Sequence, residues 1–109
     1  MGMYDEITVH ALGDQVYQTK DLECEMAVYH IGQDGKFTIK QGGCHNEATQ
    51  DDCNQFSGTV WFYGHEQTNR WAEYMACIHR GQCIRIDKLK DGEWVKRFTF
   101  GGGGKCKTE

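Results

Sequence analysis

Between Phe56 and Phe100, short runs of apolar and aromatic residues are broken by hairpin punctuation at Gly64-His65, Arg80-Gly81 and Asp91-Gly92. Glycine beside a polar residue supplies the positive φ angles of tight hairpin turns, and β-branched and aromatic runs suit a pleated surface. The pattern therefore predicts an antiparallel meander, the feature that most constrains the fold. No constellation within it completes a known catalytic or ligand-binding motif.

The first half reads the same way, less sharply. Ile7 and Val9 alternate with polar neighbours, Leu12 to Gln15 supplies a turn, and Val16-Tyr17 begins a second strand. Glu23 to Ile31 is followed by Gln33-Asp34-Gly35 and Lys36 to Lys40, with Phe37 and Ile39 pointing one way and the lysines the other. Gln41 to Gln55 is polar and acidic and reads as a long loop with one helical turn near Asn46. The segment Asn69 to Arg80 admits two readings. Trp71, Tyr74, Met75 and Ile78 fit the i, i+3, i+4, i+7 helical template, whereas period-two alternation puts Ala72, Tyr74, Ala76 and Ile78 on one face and Glu73, Cys77 and His79 on the other. The immediate Arg80-Gly81 turn into Cys83 to Ile86 favours the strand. The expected fold is mainly β, an antiparallel meander or small sandwich or barrel of about seven or eight short strands. An α+β fold with one helix at 69–80 is the alternative. The absence of proline agrees with regular pairing.

A chain of 109 residues with 39% hydrophobic and 26% charged residues fits one globular domain, expected over 1–100, followed by a flexible glycine-rich tail over 101–109. The net charge of -4 argues against direct nucleic-acid binding, which favours clustered lysine and arginine. No apolar run reaches the roughly 18 residues of a spanning helix, and no basic region followed by an apolar one opens the chain, so neither membrane insertion nor export is expected. Glu6 stands where a myristoylation motif needs Ser or Thr, and Cys106 lacks the aliphatic residues of a prenylation box. Six cysteines without an export signal are expected to be reduced thiols in a cytoplasm.

The opening Met1-Gly2-Met3-Tyr4-Asp5 and the run Tyr17-Gln18-Thr19-Lys20-Asp21-Leu22-Glu23-Cys24 resemble a group of small bacteriophage proteins of unassigned function. Those typically begin Met-Gly-Met-Phe-Asp and carry Phe-Gln-Thr-Lys-Asp-Leu-Asp/Glu-Cys before a hairpin. Gly58 to Tyr63 and Trp71 to Tyr74 are similar to their Gly-x-x-x-Phe-Tyr and Trp-x-Glu-Tyr segments, and where they often place proline this chain has Leu12-Gly13. The resemblance implies a virus-encoded accessory protein acting in the cytoplasm of a bacterial host. It implies no activity and no catalytic residues.

Two groups have the residue types of a metal site: Cys44, His45 and Cys53 in the long loop, and Cys77, His79 and Cys83 around the Arg80-Gly81 turn. A three-residue turn would put Cys83 opposite Cys77, within reach of tetrahedral zinc or of a cross-strand disulfide. Neither group contains the Cys-x-x-Cys spacing that makes zinc assignments specific. The expectation is no cofactor, with zinc as the alternative and buried cysteines acting as small apolar residues as the plainest account. Cys106 reads as a free thiol. His65-Glu66-Gln67-Thr68-Asn69 has Asn69 where a zinc protease needs its second histidine, and Gly104-Lys105-Cys106 lacks the hydroxyl residue and upstream glycine of a phosphate loop. Glu47, Asp51 and Asp52 have the chemistry of a divalent-cation site, but solvated acidic loops are far commoner.

Alternation along Thr59 to Tyr63 puts Val60 and Phe62 on one side of the strand and Trp61 and Tyr63 on the other. With Trp71 and Trp94, the aromatic surface exceeds what one sheet face needs, and exposed aromatics are common anchors of protein recognition. The leading expectation is a non-catalytic binding protein that inhibits a host bacterial protein, such as an anti-CRISPR or other anti-defence factor. Trp61, Tyr63, Trp71, Trp94, Glu47, Asp51 and Asp52 are its candidate contacts, and homo-oligomerisation is compatible with it. The alternatives are a signalling-nucleotide or small-ligand binder using Arg70, Arg80, Arg85 or Arg97, and a small zinc protein or nuclease.

Overall fold

The computed structural model describes residues 4–22, 26–42 and 49–100. Eight strands form one sheet: β1 (Asp5–Val9), β2 (Val16–Thr19), β3 (Val28–Ile31), β4 (Phe37–Gln41), β5 (Gly58–His65), β6 (Trp71–His79), β7 (Gln82–Lys90) and β8 (Glu93–Thr99). A 3-10 turn, His10–Leu12, follows β1, and a short helix, α1 (Gln50–Gln55), precedes β5. The spatial order is β4-β3-β1-β2-β5-β6-β7-β8. The mainly β expectation holds, and 69–80 belongs to a strand rather than a helix: along β6, Tyr74 and Ile78 point inward while Trp71 and Met75 do not.

The meander is real from β5 to β8. Arg80 and Gly81 have φ of 48° and 80°, and Asp91 and Gly92 have 52° and 82°, the left-handed pairs that close two-residue hairpins. Gly81 is also sterically required, because a Cβ there would lie 2.8 Å from both Asn54 Cα and Cys53 O at the end of α1. Two expectations need correction. Gly64-His65 is not a turn but the end of β5, and the chain reverses over Glu66 to Arg70, where Glu66 N donates to Arg70 O at 2.8 Å. Gly64 is small for another reason: a Cβ there would meet the Tyr17 ring at 3.0 Å. Within the segment read as a long loop a helix forms at Gln50–Gln55, where Thr49 and Asp52 make a reciprocal capping box; the helical turn expected near Asn46 falls outside the described residues, as does the tail over 101–109. The sheet, finally, is mixed rather than wholly antiparallel, since β1 pairs with β3 in parallel.

In that parallel pair β3 lies on the far side of β1 from β2, with Val28 opposite Glu6. Asp5, fully buried, accepts a hydrogen bond from Ala27 N at 2.9 Å, and Glu6 N donates to Ala27 O at 2.9 Å. These bonds seat Ala27 against β1 and start β3 on its far side.

The sheet curls into a half-barrel. Its closure comes from two hairpin turns meeting: Phe37 N donates to Gly81 O at 2.9 Å, and Cys83 N to Gly35 O at 2.8 Å. The concave side holds the core, with Ile7, Val9, Tyr17, Ile31, Phe37, Val60, Phe62, Tyr74, Ile78 and Ile86 all buried. Tyr17, Phe62 and Tyr74 form an aromatic trio with ring centroids 5.4–5.5 Å apart. α1 lies beside β4, one of the two edge strands, and Gln50 caps that edge with its side-chain amide: Oε1 accepts from Ile39 N at 3.1 Å and Nε2 donates to Phe37 O at 3.3 Å. No helix among the described residues is long and apolar enough to cross a membrane.

Candidate functional site on the outer face

Side chains alternate across a strand, so burying Val60 and Phe62 inside the half-barrel sends Trp61 and Tyr63 outward. The β5–β6 register then builds a surface. Tyr63 stands opposite Glu73, His65 opposite Trp71 and Trp61 opposite Met75. Trp61 is 42% exposed, Trp71 56% and Trp94 37%. The Tyr63 and Trp71 ring centroids lie 5.8 Å apart, His65 meets Trp71 edge-on at 5.5 Å, and Trp94 reaches from β8 to meet Trp61 edge-on at 5.7 Å. All four aromatic residues singled out from the sequence therefore share one face.

Glu73 sits among them. One of its carboxylate oxygens accepts from Trp61 Nε1 at 3.1 Å, the other from Trp71 Nε1 at 3.2 Å. The backbone beneath is held where β2 ends: Asp21 accepts from Trp61 N at 2.8 Å, and the Thr19 hydroxyl donates to Trp61 O at 2.8 Å. Two short side chains thus replace the strand partner that β5 loses there, and they hold Trp61 in place. Lys20, Asp21, Trp61, Tyr63, Trp71 and Glu73 line a groove of about 330 Å³.

The acidic candidates do not join this face. Asp51 and Asp52 lie on α1, where the Asp52 carboxylate accepts from Thr49 N at 3.0 Å as part of the helix cap. Glu47 lies outside the described residues. Glu73 and Asp21, the carboxylates that do line the groove, were not singled out from the sequence. Glu73 was within reach, since period-two alternation gives it the parity of Trp71; Asp21 was not, because its role depends on where β2 stops.

The cysteine and histidine candidates are dispersed. The Arg80-Gly81 turn has two residues rather than three, and a bulge follows at Cys77/Ile78. Cys83 consequently faces Ile78, while Cys77 faces Arg85. Cys83 is buried in the core and Cys77 is half-buried on the other face, so the juxtaposition expected for a shared zinc or a disulfide does not form; Cys53, Cys77 and Cys83 are free thiols. Burial pushes the Cys53 thiol up to about 11 and the Cys83 thiol up to about 12. Cys44 and His45 lie outside the described residues, and among those described no three His, Cys, Asp or Glu side chains gather as a metal-holding group.

One further polar cluster closes an end of the half-barrel. The Tyr74 hydroxyl donates to the Glu66 carboxylate, which also receives Lys88 Nζ at 2.9 Å. The Tyr74 bond and then the Lys88 bond hold the Glu66 carboxyl below its ordinary range, while burial pushes the Tyr74 phenol up. Its donors and acceptors satisfy one another, which makes it a brace between the β5–β6 turn and β7.

Comparisons of the chain with protein-family models, with curated proteins and with solved structures return no match.

Proposed function

We propose that this is a non-catalytic binding protein, a phage-encoded accessory factor that occupies and inhibits a host bacterial protein through the outer face of β5 and β6. The observation that carries the reading is the outward-facing aromatic set, the exposed Trp61, Trp71 and Trp94 with the half-buried Tyr63, around the hydrogen-bonded Glu73. Tryptophan and tyrosine are enriched among interface hot spots because they bury large areas at low entropic cost. The resemblance to small phage proteins supplies the bacterial context, and inhibition of a defence system such as CRISPR is the kind of task that a stable, reagent-free surface can perform.

A nucleotide-binding reading has weaker support. None of Arg70, Arg80, Arg85 and Arg97 lines the aromatic groove; Arg85 pairs with Asp87 at 3.1 Å, and Arg97 lies over the Phe98 ring. Two carboxylates in the groove would repel phosphate.

The test is affinity capture from a bacterial lysate by the wild-type chain and by Trp61→Ala and Trp71→Ala chains of matched thermal stability. One stoichiometric protein retained by wild type and released by both variants is expected. Retention by all three chains, or turnover of a substrate by the purified protein, would overturn the proposal.

A further inference from the structure

The groove carries an electrostatic signature that narrows its ligand. Glu73 is held by two neutral indole N–H donors, which fix its position without cancelling its charge. Asp21 likewise receives a neutral backbone N–H. Among the described residues neither carboxylate forms an ion pair. Among the described residues, two carboxylates and one ammonium, that of Lys20, line the groove beside three π systems, an excess of one negative charge. Aromatic faces carry partial negative charge and attract cations, so the rings and the carboxylates ask for the same kind of ligand.

We propose that the groove between Trp61, Tyr63 and Trp71 receives the guanidinium of an arginine side chain presented by a partner protein, with Glu73 as its counter-ion. The inference rests on the binding-face reading and deepens it. Guanidinium is the cation that best fits both features: it is planar and weakly hydrated, so it stacks on indole, and its forked N–H groups bind a carboxylate at two points. Each Glu73 oxygen accepts one indole bond and keeps acceptor capacity for another. At about 330 Å³ the groove suits a side chain rather than a folded element.

All three tryptophans of the chain stand in or against the groove, so intrinsic fluorescence reports its occupancy directly. The full chain is titrated at constant ionic strength with a capped Gly-Arg-Gly peptide and with its neutral citrulline isostere. Saturable fluorescence change with the arginine peptide is expected, with the citrulline peptide at least about tenfold weaker. Glu73→Gln should abolish that preference without changing the thermal midpoint, and Trp71→Phe should retain more of it than Trp71→Ala. Equal binding of the two peptides, or binding of neither, would sink the guanidinium assignment. The partner assay separates the two levels: a captured host protein lost by Trp71→Ala but kept by Glu73→Gln preserves the binding face and removes its arginine ligand, whereas retention by both variants removes both.

Discussion

The two faces of the curled sheet carry similar aromatic clusters with opposite relations to water. Inside, Tyr17, Phe62 and Tyr74 pack with centroids 5.4–5.5 Å apart and are all buried. Outside, Trp61 meets Trp94 at 5.7 Å and Tyr63 meets Trp71 at 5.8 Å, yet the three tryptophans remain 37–56% exposed. Ring contacts alone contribute about 0.5–1.5 kcal/mol per pair, whereas full burial of a large side chain contributes roughly 1.5–3 kcal/mol by transfer from water. Neighbouring residues of one strand, Phe62 and Trp61, thus differ in what burial contributes, the first buried in the core and the second left at the surface, and the difference can be measured.

The largest difference should come from truncating inside. Phe62→Ala leaves a cavity amid Tyr17 and Tyr74, and its expected cost is about 3–5 kcal/mol in urea or thermal unfolding. If Trp61→Ala cost as much, the division between the faces would be wrong. Next comes the closure of the half-barrel. Gly81→Ala combines a φ of 80° with a Cβ 2.8 Å from two backbone atoms of α1's end, and a loss of about 3 kcal/mol is expected.

How far the sequence disclosed this division depends on range. The β6–β7 and β7–β8 hairpins were readable because Arg80-Gly81 and Asp91-Gly92 specify their own turns. Gly64-His65 misled because a glycine admitted for close approach to Tyr17 looks the same in sequence as one admitted for a turn. The parallel β1–β3 pair was invisible, since it depends on Asp5 meeting Ala27 across 22 positions. At the site, parity alone put Trp61 and Tyr63 on the side of their strand opposite Val60 and Phe62. Bringing Trp71 beside Trp61 and Tyr63, and both tryptophans onto Glu73, required the β5–β6 register, and the two-residue length of the Arg80-Gly81 turn, one residue shorter than the zinc or disulfide reading needs, sets Cys83 opposite Ile78 instead of Cys77.

A smaller effect sharpens the comparison at the end of the half-barrel. Glu66→Gln weakens the bonds to Tyr74 and Lys88, with an expected cost of about 1–2 kcal/mol near neutral pH. Because the folded state lowers the Glu66 carboxyl, its contribution is present above the unfolded value of about 4.3 and is lost as pH falls through the folded one. The gap between wild type and Glu66→Gln should therefore narrow on acidification from pH 6. At the alkaline end the sign reverses for the raised Cys53 and Cys83 thiols: their contribution is intact below about 8.5 and drains away as pH climbs towards 11–12.

The smallest stability effect is expected where the functional effect should be greatest. Trp71→Ala removes a ring more than half exposed, one indole bond to Glu73 and contacts with Tyr63 and His65, none of them in the core. Its unfolding free energy should fall by less than about 1 kcal/mol, within the usual range for surface substitutions that lose one modest contact. Glu73 would keep its bond from Trp61, so the carboxylate would stay near its present position while one wall of the groove disappeared. Chemical denaturation read by circular dichroism, which does not rely on the deleted tryptophan, measures the first quantity, and partner capture measures the second. A loss of several kcal/mol would mean that the outer cluster is part of the folding core after all, and the distinction between the two faces would fail at the residue where it is drawn most sharply.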